Sequence, residues 1–262
     1  MKALLASSLG GSVKVEGMRF PSKLIQENDL NENLKAIWPD HANVLFVCAD
    51  PNDHERNDGI LNCLRESFPM SGLTLSDVSM CDGRNPEAIE RLDTTDVLIL
   101  IGGHVPTQNA FLHALKLKQR LSSYKGIVIA WSAGSMNCAD IVYAAPEEEG
   151  EAIDPAFERW ISGLGITDIN ILPHFQSLQG VFLDGLRIVE DIAFKDSFHH
   201  EIIALNDGSY LLIEDKKTTL YGETYRIRNG AIELICKGGE SVALQEKGEN
   251  DGSYLDSQKL SG

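Results

Sequence analysis

Residues 126–140, GIVIAWSAGSMNCAD, carry an apolar run straight into Trp131-Ser132-Ala133-Gly134. A buried strand that turns at once into a helix through small residues lifts a serine hydroxyl above the sheet edge, the layout of a nucleophile elbow. Ala130 stands where the G-x-S-x-G pattern has its first glycine, so one small residue replaces another. The competing use of Ser132 is as the cap of the helix that begins at Ala133. A serine nucleophile needs a base. His174 follows the apolar run 169–172 and Pro173, which places an imidazole at the end of a predicted strand. A carboxylate should orient that ring. Between Ser132 and His174 the acids are Asp140, Glu147, Glu148, Glu149, Glu151, Asp154, Glu158 and Asp168. The remaining need is for N–H donors to a developing oxyanion. VLILIGG ends in Gly102-Gly103, where missing side chains let backbone approach a ligand. The start of the helix at Ala133 supplies the other donor, with the positive end of its dipole. His104, next in line, reads as a loop histidine with its own hydrogen bonds.

These residues must be positioned by a sheet. Strands are predicted at 2–7, 44–48, 73–79, 97–101 and 126–130, and helices at 32–38, 58–67, 86–92 and 108–122. VLFVC, VLILI and IVIA are continuous apolar runs, the pattern of strands covered on both faces. Strand and helix in alternation predict an α/β fold: a mainly parallel, doubly wound sheet with helices on both faces. After residue 202 the pattern shifts to short alternating runs separated by Gly208, Gly222, Gly230 and Gly238-Gly239, which predicts antiparallel strands added at the C-terminal end of the chain. Residues 1–245 are expected to form one domain. The polar, Gly- and Ser-rich segment 246–262 is expected to be a disordered tail.

Composition narrows the functional classes. The 262 residues carry 23 Lys+Arg against 39 Asp+Glu, a formal net charge of −16. Such a chain is repelled by nucleic acid and by anionic lipid, so neither is an expected partner. Five scattered cysteines with no C-x-x-C pair point to a reducing, cytoplasmic compartment. The apolar run at the N-terminus spans only residues 3–6, short for a signal peptide, and no stretch approaches the length of a membrane helix. No H-E-x-x-H, Walker loop or strand-to-helix G-x-G-x-x-G is present, and no metal or cofactor is expected.

IGG before a T-x-x-x-F helix, AWSAGS at the elbow and LGITDINILPHF around the histidine resemble the dipeptidase E and cyanophycinase family of serine peptidases. The resemblance runs in order from about residue 2 to residue 244, through LNDGSYLLIED and GGESVAL. It implies a fold similar to the class I glutamine amidotransferase domain, with serine in place of that domain's cysteine. It further implies Ser132 as nucleophile, His174 as base and then acid, and the N–H groups of Gly103 and Ala133 as the oxyanion hole. For the orienting acid it points to Glu147, 147 − 132 = 15 residues past the nucleophile, with Glu148 and Glu149 as alternatives. The implied activity is hydrolysis of short peptides with N-terminal Asp, through an acyl-enzyme, by a protein that could pair as a homodimer. A cation for the substrate carboxylate is sought among Lys118, Arg159 and Arg187. GGHVPTQNAF departs from the compact G-G-G-N-T-F-Q loop of the family and bears on specificity. The alternatives are an amidotransferase-like protein acting on a non-peptide amide, and a binding module that keeps the elbow without the chemistry.

Overall fold

The computed structural model describes residues 1–16, 18–215 and 217–244. The tail expected at 246–262 lies outside the described residues. In chain order the first half contains β1 (Lys2–Ala6), β2 (Gly10–Val15), β3 (Met18–Leu24), α1 (Leu30–Ile37), β4 (Ala42–Val47), α2 (His54–Met70), β5 (Leu75–Cys81), β6 (Val97–Leu100), α3 (Val105–Ala114), α4 (Leu117–Leu121) and β7 (Ile127–Trp131). The second half contains α5 (Ala133–Asn137), β8 (Ile141–Tyr143), β9 (Trp160–Ser162), β10 (Asn170–Leu172), α6 (Phe175–Leu178), β11 (Phe182–Leu183), β12 (Leu186–Arg187), α7 (Phe194–Asp196) and β13 (Ile202–Leu205). It closes with β14 (Tyr210–Glu214), β15 (Lys217–Tyr221), β16 (Thr224–Arg228), β17 (Ala231–Cys236) and β18 (Ser241–Leu244).

The fold is α/β. Its main sheet has eight strands in the order β18-β15-β14-β1-β7-β6-β4-β5. From β1 to β5 the neighbours run parallel. The strands that read as unbroken apolar runs are the central ones: every residue of β6 is fully buried. Helices on both faces exclude water from them, which is why period-two alternation is absent. From β14 outward the main sheet turns antiparallel.

Four local expectations change. The C-terminal strands divide between two sheets, because β13 pairs in parallel with β10 and then leads into β16 and β17, forming the order β10-β13-β16-β17. The helix expected at 108–122 is broken, since Lys116 takes a left-handed φ of 53° and separates α3 from α4. The chain between β1 and α1 folds as the β2–β3 hairpin, where no strand was predicted. That hairpin is fastened to α2 by hydrogen bonds from Ser67 Oγ to the Gly11 carbonyl and from the Leu24 N–H to Ser71 Oγ. Helix α2 begins earlier than expected, where the Asp53 side chain accepts the Arg56 N–H.

Candidate active site

The strand order decides what can meet. β7 lies between β1 and β6, so the ends of all three reach the same edge of the main sheet. Ser132 follows β7 directly, with φ 53° and ψ −127°. A non-glycine residue in that region costs about 1–3 kcal/mol and persists only where its surroundings enforce it. The enforcement is visible: the Ser132 N–H donates to the carbonyls of Ala6 and Ser7 at 3.1 Å, and the Ser132 carbonyl accepts the Met136 N–H at 3.1 Å. Gly134 has no room for a side chain, since a Cβ there would overlap the Leu100 carbonyl of β6. The Ser132 hydroxyl makes no capping hydrogen bond, which removes the helix-cap reading.

The loop after β6 forms the floor beside the serine. A Cβ on Gly102 would sit 2.8 Å from Ser132 Cβ, and one on Gly103 would overlap Ala49 Cβ. Both glycines line the cleft that contains Ser132, which measures about 520 Å³. Ala133 opens α5 immediately after the nucleophile.

His174 follows β10 and lines the same cleft as Ser132. It too holds a left-handed φ, 56°. Its N–H donates to Ser7 Oγ at 2.7 Å. Its ring Nδ1 is 2.7 Å from an oxygen of Asp207. The carboxylate at the histidine is therefore Asp207, not the expected Glu147. Asp207 also accepts hydrogen bonds from Ser7 Oγ at 2.9 Å and from Gln176 Nε2 at 2.7 Å. Partial burial works against its charged form, but the bonds from His174, Ser7 and Gln176 outweigh it and hold the carboxyl below its ordinary range.

Glu147 and Glu148 line the cleft, whereas Glu149 does not. Glu147 is open to solvent at the cleft mouth yet ringed by protein. That crowding pushes its carboxyl up to about 7, against the opposing pull of His104 and His174. No hydrogen bond joins its carboxylate to His174 among the described residues. Glu151, which the sequence offers only as one of the acids between Ser132 and His174, is what holds this loop. One of its oxygens accepts the N–H groups of Glu147 and Glu148 at 2.8 and 3.0 Å, and the other meets His104 Nε2 at 2.8 Å. The second ring nitrogen of His104 meets Thr107 Oγ1 at 2.7 Å, as expected of a satisfied loop histidine. His104, Glu148 and Glu151 bring one ligand atom each within 4.8 Å of one another, a spacing that could hold a cation. Both ring nitrogens of His104 and both oxygens of Glu151 are, however, already engaged with protein groups.

The three cations sought for a substrate carboxylate are committed elsewhere. Lys118 pairs with Asp140 at 2.8 Å, Arg187 with Asp191 at 2.8 Å, and Arg159 bonds the Ala152 carbonyl at 2.9 Å. None lines the cleft, and its cations are Arg19 of the hairpin and Arg56 of α2. Neither was legible in the sequence, because the hairpin that carries Arg19 went unpredicted and Arg56 fell before the expected start of its helix.

The family profile described as peptidase family S51 matches residues 22–221. No curated protein matches the chain. A 1.5 Å crystal structure of a Listeria monocytogenes EGD-e protein bearing the peptidase E name superposes with a TM-score of 0.55 at 13% identity, over 89% of this chain and 98% of that one. At that identity the superposition speaks for the fold alone, and the same α/β architecture is the one built above. With the profile covering most of the sequence and a serine on a strained elbow lining one cleft with a histidine, the chain belongs to peptidase family S51, the dipeptidase E family of serine peptidases.

Proposed function

We propose that the protein hydrolyses short peptides with an N-terminal Asp through an acyl-enzyme on Ser132, in the cytoplasm. The observation that carries the reading is the strained, uncapped Ser132 in the same cleft as His174. With Asp207 as a carboxylate on Nδ1, the ring proton sits on Nδ1 and the Nε2 lone pair is left for the nucleophile. As Ser132 Oγ bonds to the peptide carbonyl carbon, its proton passes to His174 Nε2. The carbonyl oxygen becomes an anion held by the N–H groups of Gly103 and Ala133. Collapse breaks the C–N bond, and His174 gives its proton to the leaving amine. Water then repeats the sequence on the ester and releases Ser132. None of these steps calls on a metal or an organic cofactor.

Size selection has a physical basis in the cleft walls. The β2–β3 hairpin and α2 contribute Arg19 and Arg56 to its lining, alongside Glu147, Glu148 and His174. A space of about 520 Å³ accepts a few residues and not a folded chain. The five free, buried cysteines fit a reducing compartment. Labelling by a fluorophosphonate probe, together with turnover of Asp-Xaa dipeptides, tests the reading. Ser132→Ala should abolish both and leave the thermal midpoint nearly unchanged. Labelling without cleavage of any peptide would instead favour a non-peptide amide as substrate, and absence of both would favour a binding module.

A further inference from the structure

β4 and β6 pair in parallel with Val47 opposite Leu100, so the segments leaving them, 48–53 and 101–104, emerge side by side at the edge that carries Ser132. Their contact is close, since a Cβ on Gly103 would overlap Ala49 Cβ. Helix α2 starts from the first of these segments, where the Asp53 side chain accepts the Arg56 N–H and fixes the opening turn. Arg56 is thereby brought to Gly103. Its Nη2 lies 3.7 Å from the point a Gly103 Cβ would occupy, and the glycine leaves that point empty. Among the described residues the Arg56 guanidinium enters no hydrogen bond and no ion pair. The other cation of the cleft differs, because Arg19 Nη1 already donates to Ser12 Oγ. In a chain with 39 Asp+Glu against 23 Lys+Arg, an unpaired guanidinium lining a cleft marks where an outside anion can dock.

We propose that Arg56 binds the side-chain carboxylate of the residue whose carbonyl Ser132 attacks, and so sets a preference for Asp over its neutral isostere at that position. Gly103 carries an N–H expected to hold the oxyanion, so the guanidinium stands beside the reacting carbonyl. An Asp there has its carboxylate two carbons from that carbonyl. A planar guanidinium meets a carboxylate through two parallel N–H donors, whereas the amide of Asn offers it one acceptor and one mismatched donor. Ile60, Cys63 and Leu64 continue the Arg56 face of α2 at i+4, i+7 and i+8 and line the same cleft. Their apolar surface reduces screening around the ion pair. The net charge of −16 opposes the approach of an acidic peptide at long range. Arg56 acts at contact, and its contribution is discrimination rather than encounter.

The assignment rests on the serine-hydrolase reading, and binding and turnover separate the fates of the two. Ser132→Ala holds a dipeptide without cleaving it, so calorimetry on that variant reads the contact without chemistry. Asp-Leu should bind it at least ~10-fold tighter than Asn-Leu, and adding Arg56→Gln should bring the two within about threefold. Arg56→Lys keeps the charge without the fork and should give an intermediate ratio. With Ser132 intact, the Asp-Leu to Asn-Leu ratio of kcat/KM should collapse in Arg56→Gln while a fluorophosphonate still labels the variant, which shows that it folds. Arg187→Gln, outside the cleft, should keep the wild-type ratio. A ratio that survives Arg56→Gln, or that collapses in Arg187→Gln instead, overturns the assignment. So does an Arg56→Gln defect confined to the choice between Asp-Leu and Asp-Leu amide, since the group bound is then the C-terminal carboxylate. Discrimination in binding that Arg56→Gln abolishes, in a protein whose wild type neither labels nor cleaves, sinks the hydrolase reading and keeps the contact between Arg56 and the Asp side chain.

Discussion

Two segments bring a carboxylate to the same cleft and do it in opposite ways. The 206–209 turn connects strands of two different sheets, and its Asp207 is tied by Ser7, Gln176 and His174. The 146–151 segment is held by backbone: Glu151 captures the N–H groups of Glu147 and Glu148, and the Glu147 carboxylate is left facing solvent without a hydrogen-bonded partner among the described residues. Restraint gives Asp207 a depressed carboxyl range, and crowding without restraint gives Glu147 a raised one. A carboxylate that must orient a ring needs the first condition, whereas one that meets solvent and substrate can live with the second.

Three substitutions sharpen or break that contrast. Ser7→Ala removes both the donor to Asp207 and the acceptor of the His174 N–H, so kcat should fall roughly tenfold or more, about 1.4 kcal/mol of barrier. A Ser7→Ala enzyme as active as wild type would show that the turn is held without it. Glu151→Gln should weaken the other segment by about 1–2 kcal/mol, read as a lower thermal midpoint at neutral pH, because a partly buried charge-assisted set is lost. The Glu151 carboxyl is depressed: burial pushes it up, but the N–H groups of Glu148 and Glu147 and the His104 ring pull it further down. The difference between wild type and Glu151→Gln should therefore close in acid, as pH falls below the ordinary 4.5 and through the folded value.

The smallest effect belongs to Glu147→Gln. Its folded carboxyl, near 7, lies above its ordinary 4.5, so the folded state holds the extra proton between those values and wild-type stability declines as pH rises across that window. Glu147→Gln should lack the decline and exceed wild type at pH 8 by no more than about 1 kcal/mol, given the screening at an open cleft. A flat wild-type profile between pH 5 and 8 would remove the crowding argument.

The contrast also explains what the sequence could disclose. Ser132, Gly103 and His174 are announced by local features, an apolar run followed by small residues or by a single imidazole, because each is placed by the strand just before it. Asp207 is placed by the Leu172 and Ala204 pairing and by the register of β14 on β1, at 33 residues from His174 and 200 from Ser7. Nothing local in NDGSY distinguishes such a turn from any other. Restricting the acid to the stretch between serine and histidine assumed one chain order, and the sheet convergence does not respect it. The parallel core was legible for the same reason as Ser132: burial on both faces writes unbroken apolar runs into β4, β6 and β7. The β2–β3 hairpin was not, because Gly10–Val15 and Met18–Leu24 are mostly exposed and carry no buried-strand pattern.

The five cysteines have a consequence of a different kind. All are free and buried, and burial pushes the thiols of Cys48 and Cys81 up to about 12. A thiol in that state offers almost no thiolate at neutral pH and does not meet an alkylating reagent until the chain around it opens. Cys48 and Cys81 sit at the ends of β4 and β5, Cys63 on α2, Cys138 behind the elbow helix and Cys236 on β17. The molecule therefore carries five native stopwatches, two of them on the paired strands β4 and β5, whose alkylation rates would time the breathing of the central strands, α2, the elbow and the second sheet separately.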